Sequence, residues 1–135
     1  MSIWIGIDVA KDSLAIHLLP AQQSLSLPNT AQGHAQLLEH LQGACVGNVL
    51  LEATGGYERP LMRTLMAQGI PVTRINPRRA RAFAVAMGKT AKTDPIDAAL
   101  LARMAELVRA PSLEVTPERE ALRAAPSLRS VVRAG

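Results

Sequence analysis

The chain opens with short segments in which apolar residues dominate or alternate with polar ones. Residues 3–9 are largely apolar on both faces up to Asp8, which predicts a central strand covered on both sides. Residues 14–19 predict a second strand, and Leu25 with Leu27 fits a short third. We therefore expect the chain to open with an antiparallel three-stranded meander.

Segments with helical and strand patterns alternate after this start. The next predicted elements are a helix capped by Thr30 and ending at Gly43, and an apolar strand over 46–52. A helix over about 57–68 and a strand over 70–75 follow. The last two are a helix capped by Asn76 with Pro77 in its first turn, and a helix from Asp94–Pro95 to Arg109. Three strands followed by alternating helix and strand are typical of a mixed α/β sheet. Because the helical pattern fades beyond Arg109, we expect a domain over residues 1–110 and a linker or helical connector over 111–135.

Composition narrows the class of protein. The 135 residues fit one domain, and with 48% apolar but 2% aromatic residues the core must be aliphatic. Cys45 is the one cysteine, which rules out a disulfide framework and a cysteine zinc site. Neither a signal peptide nor a run of about 18 apolar residues is present, so we expect a cytoplasmic protein with no membrane partner.

Charge is distributed unevenly along the chain. The formal net charge is +4, yet residues 59–92 contain no Asp or Glu. The basic residues in that stretch are Arg59, Arg63, Arg74, Arg78, Arg79, Arg81, Lys89 and Lys92. Such an excess suits a polyanion such as nucleic acid, although a solvated helix face would look the same on charge alone.

Four carboxylates stand at positions where they could converge: Asp8, Glu52, Asp94 and Asp97. Each has a purely structural alternative, since Asp8 could mark a strand exit, Glu52 a solvent-facing strand end, and Asp94 with Asp97 a helix cap. Taken together, four acids in one cleft would need cations, and hard oxygen ligands suit Mg²⁺ or Mn²⁺. Paired metals of this kind cleave phosphodiesters. An acidic metal site beside a basic stretch therefore indicates a nuclease.

Four sequence blocks resemble the DEDD insertion-sequence transposases, a group that includes the Piv-type invertases and the bridge-RNA-guided recombinases. The blocks are GIDVAKD (6–12), LEATGGYE (51–58), INPRRARAFA (75–84) and KTDPIDAALLA (92–102). The resemblance implies a RuvC-like, ribonuclease-H-like domain. It also implies that Asp8, Glu52, Asp94 and Asp97 are catalytic acids that hold Mg²⁺ (or Mn²⁺) at a DNA phosphate.

The resemblance further implies partners and a nucleic-acid surface. The partners would be DNA, in many members a guide RNA, and further copies of the full-length protein. The predicted nucleic-acid-binding residues are Arg74, Arg78, Arg79, Arg81, Lys89 and Lys92. Family members continue into a second domain that supplies a serine nucleophile. Because the sequence stops at Gly135, we expect that domain to be absent here, and Ser127 and Ser130 match no serine motif.

Two other classes of function stay open at this point. The chain could be a non-catalytic fragment or truncated remnant that keeps the fold and binds nucleic acid or a full-length partner, in which case DNA binding would be indifferent to Asp8→Asn. It could also be an actin-like ATPase, but Gly88-Lys89-Thr90 lacks the first glycine of a phosphate-binding loop, since that position is Phe83. We interpret His17, His34 and His40 as structural or exposed, and Cys45 as a core or loop residue.

Overall fold

A computed structural model of the chain describes residues 2–53, 55–88 and 96–108. The strands are β1 (Ser2–Val9), β2 (Ser13–Leu19), β3 (Gln23–Pro28), β4 (Cys45–Glu52) and β5 (Val72–Ile75). The helices are α1 (Ala31–His40), α2 (Arg59–Ala67), α3 (Pro77–Ala86) and α4 (Ala98–Leu107). The strands form one mixed sheet in the order β3-β2-β1-β4-β5, which confirms the predicted sheet.

Strand β1 lies at the centre of this sheet. It pairs antiparallel with β2 and parallel with β4, and β5 extends the parallel side. Ile5 and Ile7 are fully buried with α1 and α2 on one face of the sheet. Leu50 is buried with α3 and α4 on the other face. Both faces of β1 are thus covered, as its continuous apolar sequence predicts.

Local chemistry explains where α1 and α3 begin and where α2 ends. The Thr30 hydroxyl accepts a hydrogen bond from the Gly33 amide at 3.1 Å, and the Asn76 side chain accepts one from the Arg79 amide at 2.7 Å. Gly69, with φ of 74°, follows α2 in the left-handed conformation that glycine adopts at little cost. These caps confirm the starts predicted for α1 and α3.

The predicted start of the last helix is wrong. Helix α4 begins at Ala98, and Asp97 is its N-cap, with extended backbone and a carboxylate that accepts from the Leu100 amide at 2.9 Å. Asp97 therefore caps the helix instead of lying inside a helix that starts at Asp94–Pro95. The physical reason is that Asp is among the strongest N-cap residues and here satisfies an otherwise unpaired helix amide.

Some predictions fall outside the described residues. These concern Lys89, Lys92, Asp94 and the connector over 111–135. Within the described ranges, none of the helices is long and apolar enough to cross a membrane.

Candidate functional site

Asp8 and Glu52 lie side by side at the carboxyl ends of two central strands. The parallel register of β1 and β4 pairs Ile7 with Leu51, so the next residue of each strand is an acid. Because side chains alternate along a strand, Asp8 shares its face with Gly6, and Glu52 shares its face with Leu50. That is the face covered by α3 and α4.

Gly6 brings the N-terminal end of α4 against this pair of acids. A Cβ at Gly6 would lie 2.1 Å from the Ala98 carbonyl oxygen and 2.2 Å from the Ala102 nitrogen, so the helix backbone rests directly on β1. Towards its other end, α4 offers the Ala105 and Val108 carbonyls to the Asn48 amide. The helix therefore runs antiparallel to β1, and its cap, Asp97, lies at the strand end that carries Asp8.

Asp8 is the centre of the acidic group. Burial raises the pKa of Asp8 above its usual value, and the nearby charge of Asp97 raises it further. The pKa of Glu52 is likewise raised, first by burial and then by the charge of Asp8, while Arg81 acts in the opposite sense. Carboxylates from β1, β4 and the start of α4 therefore interact as a row with Asp8 in the middle.

The three acids are not a closed metal cluster by themselves. In the part of the chain that the structure describes, no three Asp, Glu, His or Cys side chains group closely enough to hold an ion. The fourth predicted acid, Asp94, lies outside those residues. The chemistry of the donor set still fits a divalent cation, because the acids repel one another and supply oxygen ligands of the type that Mg²⁺ and Mn²⁺ prefer.

Helix α3 places basic residues beside the acids. It starts directly after β5, whose last residue Ile75 pairs with Glu52, and its first turn contains no acidic residue. Arg78 and Arg79 are exposed in that turn, and Arg81 acts on the charge of Glu52. Cations near a helix N-terminus oppose the helix dipole, so these arginines destabilise α3. They also concentrate positive electrostatic potential next to the acids.

The Arg79 side chain contacts an aromatic ring. Its guanidinium lies 5.7 Å from the centre of the Phe83 ring, one helical turn along α3. Such a cation–π contact holds the side chain along the helix surface.

Arg74 does not lie with Arg78, Arg79 and Arg81. It forms a salt bridge of 3.2 Å with Glu58, whose side chain is 2% exposed. Because Thr73 and Ile75 face α3 and α4, the intervening Arg74 points to the opposite side of the sheet. Lys89 and Lys92 lie outside the described residues.

Sequence reasoning missed several polar residues that support the site from a distance. Asn48 is fully buried, donates to two carbonyls of α4 and accepts from the Thr73 hydroxyl at 3.2 Å. An asparagine inside an otherwise apolar strand was the signal that could have found it, since such a group must find partners when buried. Asn29 and His34 form a second network that no local pattern in the sequence revealed.

The three histidines are buried, hydrogen-bonded or exposed, as structural or surface residues are. His34 is buried, His17 is within hydrogen-bond distance of Ser24 (2.9 Å), and His40 is exposed. Cys45 is exposed as the first residue of β4, so its interpretation as a core or loop residue is wrong; this end of the strand extends beyond the buried core.

Comparison with known structures relates the fold to that of RuvC. The chain superposes on T. thermophilus RuvC, solved in complex with a Holliday junction substrate, with a TM-score of 0.52 and 15% sequence identity, over 76% of this chain and 90% of that one. The ribonuclease-H-like, RuvC-like fold implied by the four sequence blocks is thereby confirmed.

Comparison with known sequences identifies the family. The pilin gene-inverting proteins of Moraxella lacunata and Moraxella bovis are each 31% identical to this chain over 106 residues, which is 74% of this chain and 33% of theirs. The chain thus spans about a third of the length of these relatives. A family model described as transposase, of the DEDD type named after IS110, matches residues 5–134. The chain therefore belongs to the DEDD transposase family.

Proposed function

We propose that this chain is the metal-dependent DNA-cleaving domain of a transposase or recombinase. The observation that carries the proposal is the row of carboxylates from Asp8, Glu52 and Asp97, assembled from β1, β4 and α4 at one end of the sheet. Asp94, three residues before Asp97, would complete the set. The family and the fold support the same interpretation.

The proposed cofactor is Mg²⁺ or Mn²⁺, held by these four acids. When bound, such ions supply an activated water and stabilise the leaving oxygen of a phosphodiester. The protein's own contribution is to hold the carboxylates charged and close together before the ion arrives. Burial, and then the charge of a neighbouring acid, raise the pKa values of Asp8 and Glu52, and a bound cation would offset both costs.

The proposed substrate is DNA, approached along α3. Arg78, Arg79 and Arg81 add cationic side chains to the positive end of the helix dipole, next to the acids. A guide RNA and self-association of the full-length protein remain predictions from the family resemblance. Since the chain spans about a third of the length of these relatives, complete strand exchange is proposed only for proteins of the relatives' full length.

The first experiment compares Asp8→Asn and Asp97→Asn with the unchanged chain. Asp97→Asn is a favourable choice because asparagine caps helices as well as aspartate does, so α4 should keep its start. We expect each variant to bind Mn²⁺ at least about tenfold more weakly by calorimetry and to lose Mn²⁺-dependent nicking of a labelled four-way DNA junction. Asp12→Asn, an exposed acid in the neighbouring turn, is the matched control and should behave like the unchanged chain.

The alternative of a non-catalytic, nucleic-acid-binding fragment predicts a different result. DNA would then bind equally well to the unchanged chain and to Asp8→Asn, with neither nicking nor Asp8-dependent Mn²⁺ binding. That outcome would contradict the proposed function.

A further inference from the structure

Asn29 connects the two loops that follow the acid-bearing strands. Its side-chain amide donates to the Ala10 carbonyl at 2.9 Å and to the Tyr57 carbonyl at 3.1 Å. Ala10 lies two residues after Asp8, and Tyr57 lies in the turn that follows Glu52 and β4. One nitrogen therefore joins two segments that are distant in sequence, at the end of the sheet that carries the acids.

The orientation of the Asn29 amide is fixed by its surroundings. Both backbone carbonyls are acceptors, so the end that faces them must be the NH₂ group. The Asn29 Oδ1 atom then faces His34 Nε2 at 2.7 Å, and that nitrogen must donate. His34 is 4% exposed on α1, so a buried donor holds the amide in the one orientation that joins the loops.

The same loops are held from other directions. The Ala10 amide donates to the Ser13 carbonyl at 2.9 Å, which closes the turn between β1 and β2. The Gly56 amide donates to Glu58 Oε1 at 3.2 Å, beside the salt bridge to Arg74. Asn29 supplies the link between these two anchored turns, since it contacts both.

Capping of α1 is carried out by a different residue. Thr30, the next residue, accepts from the Gly33 amide, whereas the Asn29 side chain contacts the loops and His34. The two roles can therefore be separated by mutation within one helix terminus.

We propose that Asn29, oriented by His34, is a positioning residue that holds the loops after β1 and β4 in the arrangement in which Asp8 and Glu52 receive a divalent cation. This inference rests on the proposed metal-dependent function. Residues that orient metal ligands without touching the ion commonly change metal affinity by about 10–100-fold when they are removed.

The test uses the 135-residue chain and Mn²⁺ as the probe. We expect Asn29→Ala to bind Mn²⁺ about tenfold more weakly by calorimetry, at a temperature where all variants are folded by circular dichroism. Thr30→Ala is the matched control, because it weakens the same end of α1 without touching the loops, and its Mn²⁺ affinity should stay within about twofold of the unchanged chain. His34→Leu should weaken binding, and His34→Gln should restore it because the glutamine amide can donate to Asn29.

A second readout needs no metal. Amide hydrogen exchange at Ala10 and Gly56, both of which donate hydrogen bonds within the tied loops, should speed up about tenfold in Asn29→Ala and stay unchanged in Thr30→Ala. Equal effects of the two variants on Mn²⁺ affinity or on exchange would overturn the inference. If the unchanged chain binds no Mn²⁺, the proposed function and the link to the metal both fail, and the exchange data decide whether Asn29 orders the loops.

Discussion

Gly6 allows the backbone of α4 to pack directly against β1. An added Cβ would overlap the backbone of α4 at three atoms, and backbone cannot move aside as a flexible side chain can. We expect Gly6→Ala to lower the free energy of unfolding by about 1–3 kcal/mol or more, measured by urea denaturation. Mn²⁺ binding should weaken with it, because α4 carries Asp97.

A second glycine provides the control for this substitution. Gly43 has φ of 80°, and a Cβ there would meet nothing within 4 Å. Gly43→Asn should therefore cost little, since asparagine tolerates the left-handed conformation. Equal losses of stability at the two positions would show that α4 does not depend on its packing against Gly6.

His34 links stability to pH. Burial lowers the pKa of His34, so as the pH falls below about 6.5 the unfolded chain binds a proton that the folded chain does not. The free energy of unfolding should therefore decrease from about pH 7.5 to about pH 5.5 more steeply in the unchanged chain than in His34→Gln, which cannot titrate. The acids titrate in both proteins, so they cancel in the difference between the two urea-denaturation series. Parallel pH profiles would contradict this expectation.

The secondary structure was predictable where its causes are local. Thr30 and Asn76 each cap a helix through a hydrogen bond three residues along the chain, and that spacing is visible in the sequence. The start of α4 was not predictable in the same way, because both Asp94 and Asp97 are suitable caps. The actual start is coupled to the packing of Ala98 and Ala102 on Gly6, which joins distant parts of the chain.

The arginines of β5 and α3 also show that contacts set by the fold could not be predicted from the sequence. The basic stretch indicated a nucleic-acid surface, but charge along a sequence does not show which face of a sheet each residue occupies. Arg74 belongs to a four-residue strand and pairs with Glu58, whereas Arg78 and Arg79 are exposed at the start of a helix. Likewise, the network of Asn29 joins positions whose proximity follows from the fold alone.

Substitutions in these two elements should therefore have different effects. Arg78→Gln or Arg79→Gln should weaken DNA binding and make the salt dependence of log K shallower by about 0.9 for each DNA phosphate that is no longer neutralised. The measurement is a fluorescence-anisotropy titration of a DNA duplex at several salt concentrations. A slope that does not change would remove α3 from the DNA-binding surface.

Arg74→Gln should act on stability instead. It takes the guanidinium away from the buried Glu58 carboxylate, which should cost about 1–3 kcal/mol in urea denaturation. The salt slope of DNA binding should match that of the unchanged chain. A shallower slope with unchanged stability would place Arg74 on the DNA instead.

The molecule as a whole should be stabilised by the ion that it is proposed to bind. At about 100 times the dissociation constant, Mn²⁺ should add about 2.7 kcal/mol to the free energy of unfolding, and Asp8→Asn should abolish that gain.

Without metal, the raised pKa of Asp8 means that the contribution of Asp8 to stability is favourable at low pH and is lost as the pH rises through the folded pKa. Asp8→Asn should then be the more stable protein at neutral pH in chelator, and a less stable variant would show that the carboxylate is structural.

The antiparallel placement of α4 on β1 has a consequence for biosynthesis. Asp8 and Glu52 emerge from the ribosome early, while Asp97 arrives with the last helix that the structure describes. The nascent sheet therefore holds an incomplete set of acids until α4 has been made and has docked on Gly6. On the proposed function, Asp97 would join Asp8 and Glu52 only after α4 has been synthesised and packed on Gly6.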